Sequence, residues 1–303
     1  MRNLILGGPG QDAFFMGEYL KGLDEDFLIT VRRFDLPVYY NSFLNKTYQI
    51  DLTESHSVDT LIKDFAPDFI YNFAGISNIS DSFENPVNTI NTNTQININI
   101  LNSVTKFCPN TKVYFASSIE SFRNDSPYGL SKSLCMKINE YYRAKHNIFV
   151  GAGINCQHNS KYRGENFFWG KVCAYVAKLK ICFETNCIMQ KLQLGNTKAA
   201  RDILSAQDIA RSAHYILTKG SSVDYTVTSG HLYSNELILE LAFHYIGADW
   251  KDYCEIDESL FRPKDDYGTI YYSNELTKQT GWKPEIDVEK LLIESIEYNY
   301  GRI

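Results

Sequence analysis

The alternation of short apolar runs with helical stretches is the feature that most limits how this 303-residue chain can fold. Runs of a few apolar residues predict buried strands, and an apolar spacing of three to four residues predicts helices between them. The predicted strands lie at residues 4–6, 27–31, 69–73, 113–116 and 149–154, and the predicted helices at residues 12–23, 57–65, 86–107 and 127–146. Strands and helices in this order form right-handed crossovers, so we predict an α/β chain with a Rossmann-type, doubly wound parallel sheet.

The pattern loosens after about Gly153, where polar and aromatic residues mix and strand signals fade. Single helices are predicted there at residues 166–180, 206–217, 234–246 and 288–300. We expect residues 1–155 to form the dinucleotide-binding domain. Residues 156–303 are expected to form mainly a smaller C-terminal substrate-binding cap, interleaved with the first domain.

The charge balance limits the partners of the chain. Its formal net charge is −6 and its isoelectric point is near 5.6, so neither nucleic acid nor an anionic membrane is expected as a partner. No apolar run approaches the roughly 18 residues that span a bilayer, and residues 1–10 resemble a strand and a turn, not a secretory signal. The seven scattered cysteines form no C-x-x-C pair, so we expect reduced thiols, no metal site and a cytoplasmic location.

A glycine-rich turn follows the first predicted strand and opens the first helix, with the sequence Gly7-Gly8-Pro9-Gly10-Gln11-Asp12-Ala13. Gly7 and Gly10 let the backbone turn tightly and approach a pyrophosphate, and the helix N-terminus offers N–H groups to that anion. We therefore predict a dinucleotide site that includes Gly7, Gly10, Gln11 and Asp12.

Arg32 and Arg33 end the second predicted strand and bear on the choice of dinucleotide. A carboxylate at this place would bind a ribose hydroxyl, whereas arginines bind an added phosphate, so we predict NADP. Asp35 leaves NAD open as the alternative, and two solvated loop arginines are an equally simple interpretation. The other residues predicted to contact the cofactor are Asp51 and Leu52, which are placed to meet the adenine, and Phe73, Ala74 and Gly75 at the end of the strand predicted at residues 69–73.

Tyr128 and Lys132 form the pattern Tyr-x-x-x-Lys near the start of a predicted helix, so their side chains share one face. An ammonium near the phenol lowers the pKa of the phenol, which can then move a proton at a hydroxyl while hydride passes to nicotinamide. Upstream, Ser118 can hydrogen-bond the same reacting oxygen. A strand period places Glu120 on the same face as Ser118, where its carboxylate suits the elimination of water. We predict that these four residues are catalytic.

These motifs together resemble the extended short-chain dehydrogenase/reductases that act on nucleotide sugars, most closely the GDP-mannose 4,6-dehydratases. The resemblance spans nearly the whole chain. It rests on G-x-x-G-Q-D at residues 7–12, V-R-R at 31–33, D-L-T at 51–53, Y-N-F-A-G-I-S at 71–77, the S-x-E and S-P-Y-G-x-x-K segments, R-G-E-N-F at 163–167, and the pairs or short runs at 195–196, 201–202, 262–263 and 281–284.

The resemblance implies a redox-neutral reaction. Bound NADP takes hydride from carbon 4 of the sugar, Glu120 assists loss of water across carbons 5 and 6, and the hydride returns to carbon 6. His158 matches a position near the nicotinamide. The residues implied to hold the sugar and its diphosphate are Ser77, Asn166, Lys171, Arg201 and Arg262.

Two segments are shorter than the family pattern, and they leave alternatives open. Only seven residues, 121–127, separate Glu120 from Tyr128. A shorter loop could admit a larger sugar such as a heptose, or mark a net oxidoreductase (a 4-keto-sugar reductase or a 4-dehydrogenase) or an epimerase. A cofactor-binding sensor without catalysis is the alternative outside the enzymes. The resemblance also implies a homodimer through the helices at 86–107 and 127–146, and the short segment after Arg33 disfavours a tetramer.

Overall fold

The strands and helices are those of a computed structural model, which describes residues 1–261 and 268–303. The strands are β1 Arg2–Gly8, β2 Asp26–Val31, β3 Thr47–Gln49, β4 Phe69–Asn72, β5 Lys112–Ser118, β6 Val150–Asn155, β7 Gln157–Asn159, β8 Leu192–Leu194, β9 Ala200–Ser205, β10 Asp224–Val227, β11 Leu232–Ser234 and β12 Cys254–Ile256. The helices are α1 Gln11–Gly22, α2 Ser55–Phe65, α3 Ile79–Glu84, α4 Pro86–Phe107, α5 Glu120–Arg123, α6 Pro127–His146, α7 Phe168–Thr185, α8 Ala206–Lys219, α9 Asn235–His244, α10 Trp250–Tyr253, α11 Glu275–Thr280 and α12 Val288–Tyr300. Short 3-10 helices cover Val38–Lys46 and Glu258–Leu260.

The chain divides into two units. The first comprises Met1–Asn155, Gln207–Val227 and Ser273–Lys283. The second comprises Cys156–Ala206, Thr228–Tyr272 and Pro284–Ile303. Each unit therefore takes its residues from more than one stretch of the sequence.

A seven-stranded parallel sheet forms the centre of the first unit, in the order β10-β6-β5-β4-β1-β2-β3. The order reverses direction between β1 and β4. In such sheets ligands bind at the carboxyl ends of the strands beside this reversal. The predicted fold class is thereby confirmed, and the expected cofactor segments after β1 and β4 lie at the reversal.

Apolar side chains fill the space between this sheet and the helices that cover it. Leu4, Ile70 and Val113 of the strands lie in one buried cluster with Ile100 and Val104 of α4. The many asparagines and threonines of α4 do not prevent helix formation, because isoleucine, leucine and valine recur on its buried side. The helices predicted at residues 86–107, 127–146 and 288–300 are confirmed with the same bounds.

The second unit packs α7, α9 and α12 around its own core, with Trp169, Phe243 and Leu292 among the buried side chains. Two small sheets, β11-β9-β7 and β12-β8, accompany these helices. The sequence patterns missed these strands: β7, β8, β11 and β12 have three residues each, too few to show a period, and the six residues of β9 mix polar and apolar side chains without a regular alternation. In the part of the chain that the structure describes, no helix is long and apolar enough to cross a membrane.

The expectation of seven reduced thiols is wrong for two cysteines. Cys182 and Cys187 form a disulfide at the end of α7, with Cα atoms 4.7 Å apart. The left-handed residue Asn186 ends the helix and returns the chain toward Cys182. The sequence does not indicate this disulfide, because two cysteines five positions apart can approach each other only if the helix ends between them.

Candidate active site

The start of α6 places Tyr128 and Lys132. The Ser126 side chain accepts a hydrogen bond from the backbone N–H of Gly129 at 3.0 Å, and Pro127 occupies the first helical position. Tyr128 and Lys132 then follow one turn apart on one face, and both are less than a tenth exposed.

Lys132 reaches from α6 to the central sheet. Its Nζ donates to the carbonyl oxygen of Ala116 on β5 at 2.7 Å, and it lies 5.8 Å from the centre of the Tyr128 ring. Burial lowers the pKa of Lys132, because the charged ammonium loses its hydration. The ammonium is thus fixed near the phenol, where its charge favours the phenolate.

Ser118 and Glu120 lie at the end of β5. The Ser118 Oγ accepts from the backbone N–H of Glu120 at 3.3 Å, so the two residues form a tight turn. The expectation that a strand period aligns Glu120 with Ser118 is wrong, because β5 ends at Ser118 and Glu120 begins α5. The position of Glu120 is set by this turn and not by the alternation of side chains along the strand.

Gly129 explains how Glu120 comes next to Tyr128. A Cβ at Gly129 would lie 2.6 Å from the carbonyl oxygen of Glu120, so a larger residue would force α5 and α6 apart. The seven residues between Glu120 and Tyr128 form the single-turn helix α5 and a left-handed turn at Asn124. Ser118, Glu120, Tyr128 and Lys132 are therefore brought together at the carboxyl end of β5.

The glycine turn meets the end of β4 at the sheet reversal. Gly7 has a φ of +111°, and a Cβ there would lie 2.7 Å from the backbone of Phe73 and Ala74. The Gly10 N–H closes the turn by donating to the Gly7 carbonyl at 3.0 Å, and α1 begins at Gln11. A close-packed glycine turn that ends at a helix N-terminus fits the pyrophosphate of a dinucleotide.

Arg32 and Arg33 are exposed after β2, beside the end of the short strand β3. The Asp51 carboxylate accepts from the backbone N–H and the Oγ of Thr53 at 2.9 and 2.7 Å. These two hydrogen bonds, and more weakly the charge of Arg32, lower the pKa of Asp51. Next to this carboxylate Leu52 is buried in the core of the first unit, which anchors the segment that carries Asp51.

Asn93 of α4 was missed by the sequence patterns. Its Oδ1 accepts from the Ile76 N–H at 2.7 Å, and its Nδ2 donates to the Ile76 carbonyl at 3.0 Å and to the Ser131 Oγ at 2.9 Å. Asn93 thus joins the loop after β4, where Gly75 and the exposed Ser77 lie, to the helix that carries Tyr128. In the sequence, the only indication of this role was that Asn93 is a polar residue on the apolar side of an asparagine-rich helix.

Four further predicted residues, His158, Asn166, Lys171 and Arg201, belong to the second unit. His158 on β7 pairs through Nδ1 with the Cys156 carbonyl at 2.9 Å. Asn166 is exposed just before α7, and Lys171 lies half-buried in the first turn of that helix. Arg201 on β9 donates to the Ala200 carbonyl at 2.8 Å. Arg262 lies outside the described residues.

Comparisons of the sequence with known proteins show one family, and solved structures share the fold. The sequence pattern of the family described as GDP-mannose 4,6 dehydratase matches residues 4–295. GDP-mannose 4,6 dehydratase 2 of Arabidopsis thaliana is 30% identical, over 95% of this chain and 84% of its own length. RMD from Pseudomonas aeruginosa, solved with NADPH, has a TM-score of 0.82 at 19% identity over 100% of both chains. DesIV, a dTDP-glucose 4,6-dehydratase from Streptomyces venezuelae solved with NAD, has a TM-score of 0.85 at 16% identity over 98% of this chain and 96% of its own.

Proposed function

The chain belongs to the GDP-mannose 4,6 dehydratase family, and from this premise we propose that it converts GDP-mannose, or a closely related GDP-sugar, to a 4-keto-6-deoxy sugar. The observation that carries the proposal is the approach of α5 to α6 at Gly129, which sets a carboxylate residue, Glu120, beside the buried pair Tyr128 and Lys132. A reaction that removes water needs both a proton acceptor at a hydroxyl and a second group that serves the elimination.

Each catalytic residue has one role in this proposal. Tyr128, with Lys132 beside it, takes the proton of the hydroxyl on carbon 4, and Ser118 hydrogen-bonds the same oxygen. Glu120 takes the proton from carbon 5 and delivers a proton to the hydroxyl that leaves carbon 6. A bound nicotinamide supplies the acceptor for hydride from carbon 4 and the donor of the same hydride to carbon 6. When the hydride returns to carbon 6, carbon 5 takes up one proton, the equivalent of the proton that Tyr128 removed from the hydroxyl on carbon 4. Atoms and electrons then balance with loss of one water and no net consumption of cofactor.

NADP is the cofactor we propose. Support comes from the close glycine turn at Gly7 and from Arg32 and Arg33, whose guanidinium groups are exposed where a 2′-phosphate would need partners. The distant structural relatives carry NADPH in one case and NAD in the other. We assign the cofactor to Gly7, Gly10, Gln11, Asp12, Arg32, Arg33, Asp51, Leu52, Phe73, Ala74, Gly75, Tyr128, Lys132 and His158.

We assign the substrate to a separate group of residues: Ser77, Asn166, Lys171, Arg201 and Arg262. The cations among them suit a diphosphate, because lysine and arginine donate several charged hydrogen bonds. The first unit is the proposed dinucleotide-binding domain and the second the proposed sugar-nucleotide cap.

A homodimer through α4 and α6 is also part of the proposal. Leu130, Leu134 and Tyr141 lie on one side of α6 and are 40, 40 and 56% exposed, although all three are apolar or aromatic. Such a stripe on one helix is a common mark of a protein–protein contact. A cytoplasmic location is proposed because five of the seven cysteines are free thiols.

The test is to incubate the purified full-length protein with GDP-mannose, first without and then with added NADP, and to measure the sugar nucleotide by mass spectrometry. Loss of one water, with a keto group and a methyl group in the product, is the expected result. Unchanged GDP-mannose in both incubations would overturn the assignment to this sugar. Parallel incubations with GDP-heptose, and with 4-keto sugars plus NADPH, distinguish a larger substrate from a net reductase, and an isomer of unchanged mass would indicate an epimerase.

A further inference from the structure

The segment between β2 and β3 folds back onto the glycine turn of its own chain. Its 3-10 helix, Val38–Lys46, follows Pro37, whose carbonyl accepts from the Tyr40 N–H at 2.8 Å. Tyr40 is fully buried, and its ring lies 5.5 Å from that of Phe14 on α1. The Tyr39 ring meets the same Phe14 edge to face at 5.0 Å. Aromatic packing therefore fixes where the two tyrosines stand relative to the start of α1.

The two phenol hydroxyls hydrogen-bond to the carbonyl oxygens of two consecutive residues of the glycine turn. The Tyr39 hydroxyl donates to the carbonyl oxygen of Pro9 at 3.2 Å, and the Tyr40 hydroxyl donates to that of Gly10 at 3.0 Å. Burial raises the pKa of Tyr40 far above its ordinary value, so its hydroxyl stays a donor throughout the physiological range.

These hydrogen bonds act on the two peptide units that join the glycine turn to α1. The peptide whose carbonyl accepts from Tyr40 contributes the N–H of Gln11, the first residue of α1. The peptide whose carbonyl accepts from Tyr39 contributes the N–H of Gly10, which closes the turn by donating to the Gly7 carbonyl. A donor on the carbonyl polarises the peptide and fixes its orientation, so its N–H points in one direction before any anion arrives. A turn held in its binding conformation loses less entropy when the ligand binds.

We infer that Tyr39 and Tyr40 are positioning residues for the dinucleotide: Tyr39 holds the closed glycine turn, and Tyr40 holds the peptide whose N–H, that of Gln11, is oriented for the pyrophosphate. The inference rests on the proposed dinucleotide site and extends it to two side chains that lie outside the glycine motif. The segment between β2 and β3 thereby serves one cofactor site twice, since Arg32 and Arg33 at its start offer cations and its two tyrosines hold the turn.

The test compares phenylalanine variants, which keep the rings and remove only the hydroxyl groups. We expect Tyr40→Phe to raise the dissociation constant for NADP about fivefold to tenfold, and Tyr39→Phe less, as the loss of one hydrogen bond predicts. Titration calorimetry on cofactor-stripped full-length protein measures this directly. At saturating NADP the turnover number should stay that of the wild type, because neither hydroxyl acts on the sugar.

Tyr225→Phe is the matched control. Tyr225 is equally buried and its hydroxyl also hydrogen-bonds, but it lies on β10, four strands from β1 in the sheet. Its variant should lose comparable thermal stability and keep the wild-type affinity for NADP. Wild-type affinity in both Tyr39→Phe and Tyr40→Phe, or an equal loss in Tyr225→Phe, would overturn the inference. If the wild type itself binds no nicotinamide dinucleotide, the proposed function falls and the inference falls with it. Should Tyr40→Phe not fold, the half-buried Tyr39→Phe still decides the outcome.

Discussion

The candidate catalytic residues of the first unit and the candidate substrate residues of the second unit are held in different ways. Lys132 is buried and bonded to a strand carbonyl, and the start of α6 is fixed by the Ser126 cap and by Gly129 against α5. In the second unit, Asn166 is exposed on the loop before α7, and Lys171 and Arg201 are half-buried on α7 and β9. The catalytic candidates are thus held by buried backbone contacts, whereas the candidates for sugar binding have side chains that stay partly or wholly exposed. We therefore expect that substitutions at the second set can change the choice of sugar while the catalytic candidates stay in place.

Tyr128→Phe should have the largest effect. Removal of the phenol oxygen takes away the proton acceptor for carbon 4, and we expect the turnover number to fall about 10³-fold to 10⁴-fold. The measurement is the rate of water loss from GDP-mannose, with NADP affinity determined in parallel. Tyr48→Phe, at a position on β3 that is 46% exposed, is the control that should leave the rate unchanged. Full activity in Tyr128→Phe would show that the phenol of Tyr128 is not the proton acceptor of the reaction.

Gly129→Ala should have the next largest effect, because its Cβ would be 2.6 Å from the Glu120 carbonyl. We expect a loss of about 1–3 kcal/mol in the free energy of unfolding and a rate lower by about 10-fold to 100-fold, since α5 must shift. Gly22→Ala at the end of α1 is the control, because no atom lies within 4 Å of its added Cβ. Denaturant titration and turnover measurements compare the two. Equal behaviour of both variants would show that Glu120 need not lie close to Tyr128.

A substitution in the second unit should change binding of the sugar nucleotide and leave the chemistry intact. For Lys171→Met we expect the Michaelis constant for GDP-mannose to rise about tenfold, through loss of one charged hydrogen bond, with the turnover number and NADP affinity unchanged. Lys178→Met, two turns further along α7, is the control; Lys178 lies 3.4 Å from Glu165 on the surface. A fall in turnover number with an unchanged Michaelis constant would contradict the division between the units.

The smallest effect concerns Lys132 and the pH dependence of stability. Burial lowers the pKa of Lys132 in the folded chain, so between that lowered pKa and about 10.4 the unfolded chain binds more protons. The contribution of Lys132 to the free energy of unfolding therefore rises with pH in that interval, by at most about 1.4 kcal/mol per pH unit. We expect the free energy of unfolding of cofactor-free protein to rise more steeply with pH in the wild type than in Lys132→Met. Denaturant titrations between pH 7 and 10 measure the difference, and parallel curves would show that Lys132 keeps its ordinary pKa.

The sequence predicted the residues whose positions follow from regular elements. The bounds of α4 and α6 were correct because each begins with a proline, and Tyr128 and Lys132 follow from the helix period. Glu120 was placed near the site by a strand argument that the structure corrects, since the sequence does not show where β5 ends.

Contacts between distant segments could not be predicted in this way. Asn93 meets Ile76 across a loop, and Tyr39 and Tyr40 meet the glycine turn about 30 residues away in sequence. No periodicity or motif links such pairs, because they depend on how the elements pack. The pairing of Cys182 with Cys187 is local, and it was missed because the sequence does not show that α7 ends between them.

The contact at Gly129 also bears on how the enzyme can be redesigned. No side chain separates the Glu120 carbonyl from the α-carbon of Gly129, so α5 and the start of α6 pack directly against each other. Residues inserted between Asn124 and Ser126 would lengthen the loop and could leave the contact between the Glu120 carbonyl and Gly129 in place. Designs for another sugar should therefore keep this backbone contact and vary the surfaces around it.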